Sequence, residues 1–169
     1  MSDVERALAR HLHACVAAVY HQVGSSAPRF TNDGYAVCAY ECARHFGALA
    51  FSWRAVLDGE SPGDVALLEE VLTRATSDET GATTLYAVAI VVGPRLLVSA
   101  RDALEVVTTP EFARTASATL DVTLAAMRRV EAAFARAVPE VDEAWRRQAR
   151  DLVDLLEAGG MAESLGLGV

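Results

Sequence analysis

The spacing of apolar residues along the chain predicts helices almost throughout. Apolar side chains recur at steps of three and four, which places them on one face of a helix. The first such segment begins at Ser2, where Glu5 three residues later completes a capping-box pattern. This helix is predicted over residues 3–23, and its apolar positions are Val4, Leu8, Leu12, Cys15, Val19 and Val23.

The next two helices differ in how much of their surface is apolar. The second, predicted over 35–58, is apolar around most of its circumference, and such a helix usually packs against several neighbours. The third is predicted from 61 to about 77. Its start combines Ser61 as the N-cap, a proline in the first turn and Asp64 near the positive end of the helix.

Residues 82–106 form the least regular apolar element. The β-branched residues within 85–92 would suit a buried strand, but the length of the element and its helical neighbours favour a helix. Gly93-Pro94 must kink or split this helix, because proline removes a backbone donor and crowds the preceding turn. The apolar run, roughly 82–94, is shorter than the ~20 residues that a membrane helix needs. We therefore expect a buried core element and no membrane span.

Two further helices complete the pattern. A fifth is predicted over 108–134 and a sixth over 139–159, and residues from about 160 to 169 are expected to form a loose C-terminal arm. Short polar connectors separate the long amphipathic segments. The sequence therefore predicts a single all-α domain (1–169), an antiparallel bundle of five or six helices with a kinked apolar helix.

Composition limits the partners that the protein can bind. A net charge of −8 argues against nucleic acid as a partner, since phosphate binding rests on clustered positive charge. The chain has no lysine, which excludes Schiff-base catalysis by lysine and a Walker A loop. The polar N-terminal residues do not read as an export signal. We therefore expect a cytoplasmic protein with reduced cysteines.

One cluster of reactive side-chain types lies in the second helix. Cys38, Glu41, Cys42 and His45 recur at steps of three and four, so one side of the helix would present all four. In a thiol- or metal-dependent enzyme, Cys42 would be the nucleophile or ligand, His45 the base, Glu41 its orienting carboxylate and Cys38 the resolving thiol. The competing interpretation is structural, with the cysteines at the edge of the core and the polar side chains facing water.

The window Tyr40-Glu41-Cys42-Ala43-Arg44-His45 resembles part of the carboxymuconolactone decarboxylase and AhpD-like helical family. In that family an acid and one or two cysteines precede a histidine on a helix, so the resemblance implies peroxide reduction or decarboxylation. The resemblance covers only this window. The family's redox cysteines usually have two residues between them, whereas Cys38 and Cys42 have three.

Three further site hypotheses can be stated from the sequence. His11 and Cys15 lie four residues apart on the first helix, and with Cys42 and His45 they are candidate zinc ligands if the first two helices pack together. Arg95, directly after the proline break, is a candidate for binding an anionic cofactor. A di-iron carboxylate site is not expected, because the chain contains no Glu-x-x-His pair.

The sequence alone favours a binding function over catalysis. High apolar content and the lack of a complete catalytic set indicate a small helical module. Its expected partner is another protein, a second copy of itself or a small apolar ligand. A thiol- or metal-dependent enzyme is the alternative, and the cofactor stays unknown.

Overall fold

The fold is helical throughout the part of the chain that the structure describes. A computed structural model describes residues 1–136, 150–152 and 154, and these residues contain no strand. The predicted all-α class is thus confirmed, whereas the antiparallel arrangement stays a prediction. The elements in chain order are α1 (Asp3–Ser26), a short 3-10 turn (Ala27–Arg29), α2 (Asp33–Val56), α3 (Ala66–Ala75), α4 (Ala82–Tyr86), a π-helical segment (Ala87–Val92), α5 (Gly93–Val106) and α6 (Pro110–Arg136).

Helix α2 packs against α1 on one side and α6 on another, as its wide apolar surface predicts. Trp53 of α2 and Phe112 of α6 are fully buried, and their rings meet edge to face with centroids 5.2 Å apart. The indole N–H of Trp53 donates a hydrogen bond to Thr119 Oγ1 at 3.0 Å. Helix α6 also packs against α5. These contacts hold α2 in place, and α2 carries most of the candidate functional side chains.

Side-chain caps set the beginnings of α1 and α2. The hydroxyl of Ser2 accepts from the backbone N–H of Glu5 at 3.2 Å, and the Glu5 carboxylate accepts from the Ser2 N–H at 2.7 Å. The predicted capping box is therefore confirmed. Helix α2 begins slightly earlier than predicted, because Asn32 Oδ1 accepts from the N–H of Tyr35 at 3.0 Å and serves as its N-cap.

The Glu5 carboxylate also joins α1 to the beginning of α6. It is fully buried and accepts from the backbone N–H groups of Thr108 at 2.6 Å and Thr109 at 3.1 Å. Hydrogen bonds from the backbone of Thr108, and then from that of Ser2, lower the pKa of Glu5 to about 2. These donors replace water around the charge, which allows a carboxylate to be buried while ionised.

Helix α3 begins at Ala66, so the predicted start at Ser61 is wrong. Residues 61–64 are not helical, and the backbones of Ser61 and Gly63 are hydrogen bonded to Arg10 of α1 instead. Arg10 Nε donates to the carbonyl of Ser61 at 3.1 Å, and the N–H of Gly63 donates to the carbonyl of Arg10 at 2.9 Å. Asp64 instead accepts from the N–H of Ala66 at 2.9 Å. Tertiary hydrogen bonds thus override a capping pattern that was locally favourable.

The apolar element over 82–106 is helical rather than a strand, as predicted. Its interruption takes the form of the π-helical segment, in which the N–H of Gly93 bonds to the carbonyl of Val88 five residues back. Pro94 supplies no N–H for a regular α-helical register, so the hydrogen-bond pattern changes next to it. Gly93 lies close to α6, since a Cβ there would be 3.0 Å from Met127 Sδ.

Ala82–Val106 is the one described helix long and apolar enough to cross a membrane by length and composition. However, 67% of its most apolar window is buried inside the protein, so length and composition alone do not establish a membrane span. The predicted sixth helix, 139–159, falls mostly outside the described residues. Residues 150–152 and 154 are helical, and Leu152 joins a buried cluster with Val91. The predicted C-terminal arm, 160–169, lies outside the described residues.

Candidate functional site

The predicted Cys38–Glu41–Cys42–His45 group is divided between the core and the surface. Both cysteines are buried, whereas Glu41 and His45 are half-buried. His45 Nε2 lies 3.8 Å from Glu41 Oε2, as the spacing predicts, but Arg44 Nη2 is closer to the same oxygen at 2.9 Å. The hydrogen bond from Arg44 is the main cause of a lowered pKa at Glu41. Glu41 therefore pairs more closely with the guanidinium of Arg44 than with the imidazole of His45.

The two thiols of α2 differ in accessibility and in acidity. Cys38 borders a pocket of about 560 Å³ between α2 and α6, while Cys42 is fully buried beneath it. A hydrogen bond to Cys38, followed by burial, raises the pKa of Cys42 well above its usual range. A hydrogen bond from Cys42, aided by the charges of Arg129 and Arg136, lowers the pKa of Cys38. The predicted assignment of Cys42 as nucleophile or ligand and Cys38 as resolving thiol stays a prediction, and the structure adds that Cys38 rather than Cys42 lines the pocket.

The proposed zinc ligands do not converge. His11 Nε2 lies 3.6 Å from Cys15 Sγ, and both side chains are buried. Burial lowers the pKa of His11 and raises that of Cys15. Within residues 1–136, 150–152 and 154, no group of three or more His, Cys, Asp and Glu side chains could hold a metal ion. The structure therefore brings together His11 and Cys15 but does not add Cys42 or His45 to them.

Arg95 is turned into the protein rather than toward an open anion site. Its side chain is buried, and Nη1 donates to the carbonyl of Val91 at 2.7 Å. Val91 belongs to the π-helical segment that precedes the proline. The guanidinium thus helps to satisfy backbone acceptors at the helix irregularity, a role that competes with the predicted binding of an anionic cofactor.

A second concave surface, which the sequence prediction missed, lies between α1 and α2. This α1–α2 groove has a volume of about 790 Å³. Its walls carry His13, Tyr20 and His21 from α1 and Tyr40, Arg44, Phe51 and Arg54 from α2. Small residues of both helices form its floor: Ala17, Gly24, Ala43, Gly47 and Ala50.

The small residues allow α1 and α2 to approach each other closely and leave room for aromatic rings beside the groove. A Cβ at Gly24 would lie 3.4 Å from Ala43 Cβ, so the backbones are nearly in contact there. A Cβ at Gly47 would lie 2.8 Å from Tyr20 Cδ2, closer than side chains tolerate. Gly47 is therefore required for Tyr20 to lie across α2. The Tyr20 ring also contacts His21, with ring centroids 4.8 Å apart.

The groove is basic although the protein is acidic. No carboxylate is among its lining residues, whereas the chain has a net charge of −8. Arg44 is paired with Glu41, but Arg54 forms no ion pair within the described part of the chain. The groove therefore has an unneutralised guanidinium at its α2 wall.

His13 adds a polar atom that lacks a partner. The residue is only 8% exposed, and its Nδ1 has no hydrogen-bond partner among the described residues. Burial, and then the positive charge of Arg54, lowers the pKa of His13. Buried polar atoms are nearly always hydrogen bonded in folded proteins. His13 is therefore a wall residue of the groove with an unused hydrogen-bonding atom, close enough to Arg54 to feel its charge.

No known protein family, curated protein or solved structure matches the chain. The resemblance of residues 40–45 to the AhpD-like family thus stays limited to that window. The function has to be argued from the geometry of the two concave surfaces.

Proposed function

We propose that the protein binds a small aromatic anion in the α1–α2 groove. The observation that carries this proposal is the presence of Arg54, which has no ion-pair partner among the described residues, and of His13, whose Nδ1 lacks a hydrogen-bond partner, in one groove that has no carboxylate on its walls. A volume of about 790 Å³ suits a small molecule, since ligand pockets typically measure roughly 300–1,000 Å³. The proposal keeps the sequence-based hypothesis of a binding module but replaces the expected small apolar ligand with an aromatic anion.

The aromatic part of the ligand is inferred from the side chains that form the walls of the α1–α2 groove. Tyr20, Tyr40 and Phe51 are the exposed Phe, Tyr or Trp side chains in the part of the chain that the structure describes, and all three line this groove. Phe51 has the largest exposed fraction of the three, 76%. A flat ring would cover these faces and remove apolar area from water, and aromatic pairs gain further from offset or edge-to-face contact.

The anionic group of the ligand is inferred from the hydrogen-bonding side chains of the groove. The Arg54 guanidinium offers a planar set of N–H groups that matches a carboxylate or sulfonate. His13 lines the same groove, and its buried Nδ1 has no hydrogen-bond partner among the described residues. A bound anion would favour the protonated form of His13, opposing the burial and the Arg54 charge that lower its pKa in the free protein.

Calorimetric titration with 2-naphthoate, an aromatic carboxylate, tests the proposal. The uncharged isostere 2-naphthamide is the matched ligand control. We expect naphthoate to bind with one site per chain and about tenfold more tightly than naphthamide, because a hydrogen bond to a charged group contributes about 1.5–3 kcal/mol. Equal affinity for the two compounds, or no binding of naphthoate, would contradict the proposal.

Two arginine variants test which positive charge contributes to naphthoate binding. Arg54→Gln removes the unneutralised guanidinium of the groove and should reduce naphthoate affinity about tenfold. Arg114→Gln is the control, because it removes one exposed positive charge from α6 outside the groove, where Arg114 pairs with Glu111 at 2.9 Å. Similar losses in both variants would mean that net charge rather than the groove governs binding.

A further inference from the structure

The α1–α2 groove has two ends that contain different side chains. At one end, His13 of α1 lies close enough to Arg54 of α2 to feel its charge. At the other end the two helices nearly touch, since a Cβ at Gly24 would lie 3.4 Å from Ala43 Cβ. In the proposed function the anion binds at the first end, and the aromatic ring of the ligand extends from there along the groove.

Tyr20 lies between these two ends. A Cβ at Gly47 would lie 2.8 Å from Cδ2, 2.9 Å from Cε2 and 3.3 Å from Cγ of Tyr20, so the phenol ring packs directly on the α2 backbone. Tyr20 follows His13 by seven residues on α1. Gly47 precedes Arg54 by the same seven residues on α2. Either helix therefore puts the Tyr20 ring about two turns, or roughly 10 Å, from the basic end of the groove.

The stretch of groove between Tyr20 and Arg54 suits a flat apolar ring. The lining residues at these positions of the two helices are two small residues and one aromatic residue: Ala17, Ala50 and Phe51. None of them carries a polar side chain, so a ligand ring that extends from Arg54 removes apolar area from water. The groove continues beyond Tyr20 toward Gly24. The Tyr20 ring thus separates a stretch of limited length from the rest of the groove.

Given anion binding at the Arg54 end, which is the proposed function, we propose that Tyr20 determines the length of the ligand and restricts the groove to aromatic anions of one or two fused rings. A two-ring anion such as 2-naphthoate ends at the Tyr20 ring, whereas a third fused ring in line would collide with it. Contacts with the Gly47 backbone and the His21 ring, whose centroid is 4.8 Å away, oppose displacement of Tyr20.

Calorimetric titration with 2-naphthoate and with anthracene-2-carboxylate measures this length limit. The two anions share the carboxylate and differ by one fused ring. We expect the wild-type protein to bind anthracene-2-carboxylate about tenfold more weakly, since a small difference in ligand size is worth about that factor or more in an apolar pocket. In Tyr20→Ala the longer anion should bind at least as tightly as naphthoate, because its additional ring buries more apolar area.

Two further tyrosine variants separate the Tyr20 ring from the other features of the groove. Tyr20→Phe retains the ring and should keep the preference for naphthoate. Tyr40→Ala is the matched control, since Tyr40 is another exposed tyrosine of the groove but lies on the side of Gly47 away from Arg54. It removes a ring without opening the stretch next to Arg54, so it should change the affinities for both anions by the same factor.

The outcomes distinguish the role of Tyr20 from the proposed function. Equal affinity of the wild-type protein for the two anions, or an unchanged affinity ratio in Tyr20→Ala, would overturn the role of Tyr20 even though naphthoate binds. A change of the ratio in Tyr40→Ala as large as in Tyr20→Ala would overturn it as well. If neither anion binds to the wild-type protein, the proposed function fails, and the length limit fails with it.

Discussion

Replacing Thr119 by valine tests the hydrogen bond that fixes α2 against α6. Thr119 Oγ1 accepts from Trp53 Nε1 at 3.0 Å and donates to the carbonyl of Thr115 at 2.8 Å. Trp53 and Thr119 are both 0% exposed. Valine has nearly the shape of threonine but no oxygen, so Thr119→Val leaves the indole N–H buried without its acceptor.

The expected cost follows from that unsatisfied donor. A buried polar group that loses its partner costs about 1–3 kcal/mol, and in a protein of this size each kcal/mol lowers the Tm by roughly 2–4 °C. Thr123→Val is the matched control: Thr123 is equally buried, and its hydroxyl donates to the carbonyl of Thr119 at 2.7 Å. No hydrogen-bond donor among the described residues depends on that hydroxyl, so its removal should cost less than about 1 kcal/mol.

Urea unfolding followed by far-ultraviolet circular dichroism measures both free energies of unfolding. The double variant Trp53→Phe, Thr119→Val completes the comparison, because Trp53→Phe removes the donor and should make the loss of the acceptor much less costly. If Thr119→Val is no more destabilising than Thr123→Val, or if its cost is unchanged in the Trp53→Phe background, the hydrogen bond does not stabilise the α2–α6 contact.

Two further predictions concern positions outside the proposed sites. The pKa of Glu5 is about 2, against an ordinary 4.5. The ionised carboxylate therefore contributes to stability above pH 4.5, and this contribution is lost as the pH falls toward 2. Glu5→Gln should lower the Tm at neutral pH and make the Tm fall less steeply on acidification. Gly81 and Gly59 both have positive φ angles, of 85° and 81°, but only at Gly81 would a Cβ collide with the Phe30 ring. Gly59→Ala should cost about 1–2 kcal/mol and Gly81→Ala clearly more in chemical denaturation; equal costs would contradict the packing at Phe30.

Local signals in the sequence were sufficient to predict most of the helical structure. The Ser2 capping box and the apolar spacing of α1 are properties of neighbouring residues, and the structure contains both. The start of α3 was predicted wrongly because its determinant is not local. Arg10, some fifty residues earlier in the chain, donates a hydrogen bond to the Ser61 carbonyl and accepts one from the N–H of Gly63. The sequence pattern also predicted a break at Gly93-Pro94 without its π-helical form or its contact with α6.

The candidate sites were less predictable because they depend on how helices face one another. His13 and Arg54 lie on different helices, so only the packing of α1 against α2 shows that they share a groove. The small and aromatic residues on each helix were a signal for the groove in the sequence. Their spacing, however, does not reveal which faces of α1 and α2 meet. Cys38 and Cys42 both border the apolar face of α2, and their different depths follow from the position of α6.

The measurement that tests the central claim most directly is an NMR titration of isotope-labelled protein with 2-naphthoate. The proposed binding mode predicts saturable amide shifts centred on the α1–α2 groove, with large changes at Gly24 and Gly47, and a shift of the His13 ring signals. In Arg54→Gln the same shifts should require a higher naphthoate concentration. Shifts centred on α6 or spread evenly over the surface, with His13 unchanged, would contradict the account.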